Sequence, residues 1–134
     1  MNKVDWDTTI AELEALDDRS VAAAARIHAE AILEDVPRLM SLLETADNIF
    51  VREAAAWPLA ELVGAQVLPA LLRAYQRGFD EGQDNDGFSA ALLEIPALHP
   101  GAARSALLEI SLGSDEPMRG HAKWLLDFCE DSHA

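Results

Sequence analysis

Cysteine is nearly absent: the 134-residue chain has one, Cys129, so no internal disulfide can form and packing alone must hold the fold, as in a reducing compartment such as the cytoplasm. Aromatic residues are scarce as well, at 6% of the chain, while hydrophobic residues reach 50% and are mostly Ala and Leu. Strands favour β-branched and aromatic side chains, so this shortage predicts closely packed helices. No apolar run approaches the roughly 20 residues that span a bilayer. Met1-Asn2-Lys3-Val4-Asp5 lacks the charged start and apolar run of an export signal, so neither export nor membrane insertion is expected. Bases are the third shortage. Ten Lys and Arg face 24 Asp and Glu, a formal net charge of −14. Phosphate binding needs a basic footprint, so nucleic acid is disfavoured and a basic protein fits better as partner. Acidity also keeps a small protein soluble, and composition alone does not separate the two.

What the chain has is recurrence. Val51-Arg52-Glu53-Ala54-Ala55-Ala56-Trp57-Pro58-Leu59 matches Met118-Arg119-Gly120-His121-Ala122-Lys123-Trp124-Leu125-Leu126, with Arg, Ala, Trp and Leu in register at an offset of 67 residues. That is about twice the ~33 residues of a helix-pair repeat and predicts a copy between them. Asn85-Asp86-Gly87-Phe88-Ser89-Ala90-Ala91-Leu92-Leu93 stands there, without the Arg and Trp. Three Leu-rich segments that begin at Pro37, Pro69 and Ala102 keep a similar beat. Ahead of them, two apolar-periodic segments flank Asp17-Asp18-Arg19-Ser20, a turn-and-cap run, and read as an N-terminal capping pair.

The predicted map is one all-α domain over residues 1–134, with a capping pair at 1–34 and repeats at 36–64, 66–97 and 101–130. Its eight helices span 6–16, 20–34, 36–46, 49–63, 66–78, 87–97, 101–112 and 117–130. Asp47 and Asn48 suit N-caps, Pro100 and Pro117 suit first turns, and Gly64, Gly78 and Gly113 suit helix ends. Pro58 falls inside a predicted helix, where it removes a backbone bond and should bend the axis.

Pro37, the Leu-rich helix after it, Asp47, Val51-Arg52 and Ala54-Ala55-Ala56 stand in the order of the HEAT repeat consensus, which the chain resembles most clearly over 36–64 and in part over 115–128. The resemblance implies a right-handed α-solenoid of about four antiparallel helix pairs, a curved surface suited to protein recognition. It also implies that Asp47, Arg52, Asp115 and Arg119 tie neighbouring repeats together, although the middle repeat has no Arg at that position. HEAT-like hydroxylases carry His-Glu dipeptides, and here His28 and His121 are each followed by Ala. HEAT-like DNA glycosylases need a basic groove, and residues 78–100 hold no Lys or Arg.

Chemistry-bearing constellations are few. The acidic segment Asp80-Glu81-Gly82-Gln83-Asp84-Asn85-Asp86-Gly87 invites comparison with a calcium loop, but its first and twelfth ligand positions would be Gly82 and Leu93. A solvated loop and a partner-contacting loop remain as readings of it. His28, His99, His121 and His133 form no i, i+4 pair, and no zinc site is expected. Nothing resembles a phosphate loop or a nucleophile elbow, and Cys129 reads as packing. Trp57 and Trp124 read as repeat core, and Trp6 as either a cap on the first pair or an interface anchor.

The carboxylates concentrate in two blocks, eleven against four bases in residues 1–50 and five against none in 78–100. In a HEAT-like stack the second helices line the concave face. That makes Glu30, Glu34, Glu53, Glu61, Glu94 and Asp127, joined by Asp80, Glu81, Asp84 and Asp86, the candidate partner-binding residues. The leading expectation is a non-catalytic protein-binding module without cofactor, most specifically an acidic inhibitor or immunity protein for a basic toxin or nuclease. An adaptor or assembly chaperone, and an enzyme like the HEAT-like lyases that act on a carrier protein, are the alternatives.

Overall fold

Side-chain caps open four of the eight helices in the computed structural model, which describes residues 1–15 and 17–129. Asn2 accepts from the Asp5 backbone N–H at 2.8 Å and opens α1 (Lys3–Leu13). Asp17 and Ser20 form a reciprocal capping box that starts α2 (Asp18–Glu30), and the Ser20 hydroxyl reaches back to the Glu12 carbonyl at 3.1 Å. A 3₁₀ turn at Leu33–Asp35 leads into α3 (Val36–Thr45), which carries Pro37 in its first turn. Asn48, not Asp47, caps α4 (Ile49–Leu62) by accepting from Phe50 N–H at 2.8 Å. Gly64, with φ of 79°, ends that helix in a conformation that costs a residue without Cβ least, and a 3₁₀ turn at Gly64–Val67 precedes α5 (Leu68–Asp80). Then come α6 (Asp86–Leu98), α7 (Pro100–Ser111) and α8 (Glu116–Leu126), the last capped by Asp115.

All eight expected helices are present, and no strand occurs among the described residues. Their ends shift: the first starts at Lys3, the second gives way to the 3₁₀ turn, and the fifth runs past Gly78 to Asp80. Gly78 is therefore interior. A Cβ there would collide with the Asn85 side chain, which is buried and donates to the Tyr75 carbonyl at 3.2 Å. Helix α4 continues through Pro58. The expected end of the last helix at residue 130, the residue Leu16 and His133 lie outside the described residues.

Specific contacts give the helix directions. Arg73 reaches Glu44 at 3.6 Å and Arg77 reaches Asp47 at 3.1 Å, so α5 runs parallel to α3. Glu53 touches Gly87 near the starts of α4 and α6, and His99 meets Gly64 at their ends, so these two are also parallel. Helix α2 also packs on α4. The last pair departs from this register: α7 and α8 each touch both α5 and α6. Accordingly Trp57 packs on His28 of α2, whereas Trp124 stacks on Tyr75 of α5 with centroids 5.9 Å apart. Sequence equivalence between the two tryptophans does not extend to their surroundings.

One apolar core runs through the described residues, from Trp6 and Leu13 through Leu39, Leu59 and Leu71 to Phe88, Leu107 and Leu125. Burial of these side chains, each contributing roughly 1.5–3 kcal/mol, is the main favourable term. Trp6 belongs to it. Its indole N–H donates to Asp35 at 3.1 Å beneath the Arg38 guanidinium, closing the end of the first pair. Burial pushes the Asp35 carboxyl up. Donors from Ile32 N–H, the Trp6 indole and the Met1 amino group outweigh that and hold it below the ordinary carboxylate range.

Candidate functional site

Glu53, Trp57 and Glu61 follow one another at intervals of four residues, so they form a single stripe along α4 between α2 and α6. Trp57 is half-buried and meets the His28 ring at 5.8 Å with a 47° tilt. Nε2 of that histidine lies 2.9 Å from Glu61 Oε1. Ala24 and Ala25, one turn before His28, and Ala54, one turn before Trp57, present only methyl groups. The result is an open hollow of about 240 Å³ walled by the two rings.

On the opposite side of the stripe the Glu53 carboxylate rests against Gly87, a contact that any Cβ at that position would block. Half-burial raises the Glu53 pKa, and the neighbouring Asp84 carboxylate raises it further. Asp84 accepts from Asp86 N–H at 2.9 Å, and Asp86 is the first residue of α6. Glu94 lies two turns beyond Gly87, on the edge of α6 that Glu53 touches.

The arginines are engaged elsewhere. Arg19 pairs with Asp17, Arg26 with Asp5 and Glu30, Arg73 with Glu44, and Arg119 with Glu116. Arg38 covers Trp6 and Arg104 donates to the Cys129 carbonyl at 2.8 Å. Arg52 and Arg77 share Glu81. Among the described residues, Glu53, Asp84, Asp86 and Glu94 take part in no ion pair, and Glu61 faces only a histidine.

The ten carboxylates singled out in the sequence therefore divide. Glu53, Glu61, Asp84, Asp86 and Glu94 gather along α4 and α6. Glu30 is tied to Arg26 at 3.6 Å, and Glu34 lines a separate groove beside Trp6 and Arg38. Asp80, the last residue of α5, accepts from Gln76 at 2.9 Å, and Asp127 follows the end of α8. Glu81 lies at the surface but is tied to two arginines: hydrogen bonds from Arg52, and then from Arg77, hold its carboxyl below the ordinary range. The acidic segment after α5 is thus partly neutralised by arginines that precede it in the chain.

Of the four residues that the HEAT resemblance marked, Arg52 is fully buried and donates to the Ala46 and Asp47 carbonyls and to Glu81, while Asp47 accepts from Arg77. Asp115 and Arg119 act within α8, as N-cap and as partner of Glu116.

Sequence reasoning missed two features. His28 has no histidine or cysteine partner nearby in the chain, and its position against Trp57 depends on the packing of α2 on α4. An aromatic cluster also joins α5 to α8: Tyr75 stacks on Trp124, Phe79 stacks on His121 at 5.7 Å, and His121 Nε2 lies 2.7 Å from Gln76 Oε1. No group of three or more His, Cys, Asp or Glu that could hold a metal ion occurs among the described residues, and none of their helices is long and apolar enough to cross a membrane. Burial pushes the Cys129 thiol up despite nearby Arg104, which leaves it a poor nucleophile. Comparison of the chain with protein-family models, curated proteins and solved structures yields no match.

Proposed function

We propose that the chain is a non-catalytic module that binds a basic protein across the α4–α6 face, most specifically an inhibitor or immunity protein that neutralises a basic toxin or nuclease by stoichiometric binding in the cytoplasm. The observation that carries this reading is the separation of charge. All eight arginines are engaged with other groups, Arg52 beneath the surface of α4, while Glu53, Asp84, Asp86 and Glu94 lie along the face with no ion pair among the described residues. A field of one sign speeds capture of an opposite partner and disfavours acidic ones. Half-buried Trp57 at the centre of the face supplies the apolar anchor that such interfaces need.

The architecture proposed with it is a right-handed α-solenoid of HEAT-like pairs. Parallel α3 with α5 and parallel α4 with α6, at neighbour offsets between 29 and 35 residues, support that arrangement for the central pairs.

Affinity capture from the native host tests the function. Wild-type protein and a Glu53→Gln/Glu61→Gln/Glu94→Gln variant are compared at about 0.05 and 0.5 M salt. The expected partner is basic, is retained by the wild type, and is lost both in the variant and at high salt. A partner that is acidic, or that the variant retains equally well, would overturn the reading.

A further inference from the structure

We infer that the hollow between α2 and α4 receives one arginine side chain of the bound protein, with its guanidinium against Trp57 and its tip at Glu61. This rests on the reading above, that a basic protein docks on the adjoining α4–α6 face. Size is the first argument. Pockets for drug-sized ligands run to roughly 300–1,000 Å³, whereas this hollow holds about 240 Å³ and is open to solvent on one side, room for a single long side chain. Its wall is the second argument. Methyl groups of Ala24, Ala25 and Ala54 suit an aliphatic stem, and the indole face attracts a cation within about 6 Å of its centroid.

Glu61 does not line the hollow but stands beside it, 2.9 Å from the His28 ring that does, and its charge selects among long side chains. His28 engages Oε1 of Glu61 and leaves Oε2 without a partner among the described residues. A leucine in the hollow would cover that carboxylate without neutralising it, a desolvation cost with no return. Lysine would satisfy the charge, but its ammonium cannot stack. The planar guanidinium of arginine can lie on the indole and donate to the carboxylate at once.

The test uses N-acetyl-arginine amide as probe, with the lysine, leucine and citrulline amides beside it. Nitrogen-15 spectra follow the Trp57 indole N–H and the backbone amides of 24–28 and 54–61. The arginine amide should move these signals saturably, about threefold or more tighter than the lysine amide, and the neutral citrulline amide should bind more weakly still. Glu61→Gln should weaken arginine binding about threefold or more. Ala25→Leu, at an exposed helix position, should fill the hollow and abolish binding while the melting curve is retained. Equal shifts from leucine and arginine amides, or arginine binding that survives Ala25→Leu, would overturn the inference. Failure of the probe, with a captured basic partner still sensitive to Glu53→Gln and Glu94→Gln, would sink the arginine receptor and leave the basic-protein reading intact. Saturable arginine binding in the hollow with no basic partner captured would do the reverse.

Discussion

The guanidinium of Arg52 lies 2.6 Å from the carboxylate of Glu81, 29 residues away in the chain, and Arg52 is fully buried. Two backbone carbonyls and one carboxylate share its donors. Replacing it with Met orphans the Ala46 and Asp47 carbonyls and removes a buried charge from its pair. The expected loss is about 1–3 kcal/mol in urea unfolding, set by the unpaired carbonyls, because Glu81 is exposed and keeps Arg77 as a partner. Glu81→Gln should cost less, because that carboxylate is partly solvated. Its stabilising effect, present above the ordinary Glu pKa, is lost as pH falls through the depressed native value. The variant should accordingly show a shallower acid transition than the wild type.

Two helix-interior glycines should respond in opposite directions to the same substitution. Gly120→Ala meets open space in α8 and should gain about 0.5–1 kcal/mol from helix propensity. Gly78→Ala drives a methyl into buried Asn85 and should lower the melting temperature, since that side chain is held by its bond to the Tyr75 carbonyl. Equal stabilisation by both would refute the steric role given to Gly78.

Glu53 makes binding and stability oppose each other. Its pKa is raised by burial and by Asp84, so its native state favours the proton. It detracts from stability as pH rises through the raised value and has no such effect below the ordinary Glu pKa. Glu53→Gln should be more stable than wild type at pH ~7 and no more stable near pH ~4. A loss of stability at neutral pH would mean that the carboxylate supports the fold.

His121 predicts a second pH effect of the opposite sign. Burial lowers its pKa more than nearby Asp115 raises it, and its ring stacks on Phe79 beside Gln76. The neutral ring contributes stability above the ordinary His value, and that contribution is lost as pH falls from there through the depressed native pKa. His121→Gln should flatten the decline in melting temperature between about pH 7 and pH 5.

Much of the helical layout is legible because its causes are local. The caps at Asp17, Asn48 and Asp115, and the prolines at 37, 100 and 117, act within a turn of their own position. Gly78 looks like a helix end until Asn85 is seen folded over it. Trp57 and Trp124 look equivalent until the last pair is seen lying across α5 and α6, an orientation set by how apolar faces fit. Of the candidate carboxylates, the sequence identified the block after α5 as acidic, yet Arg52 and Arg77 neutralise part of it from outside the block.

Composition and local chemistry by themselves determined an all-helical chain, its eight helices, its single cysteine and its excess of negative charge. Only the tertiary structure decided where that charge is free, because ion pairing depends on which side chains come within a few ångströms across helices far apart in the chain. Packing placed the arginines against the caps, the core and the outer helices, and left the Glu53–Trp57–Glu61 stripe facing away from them.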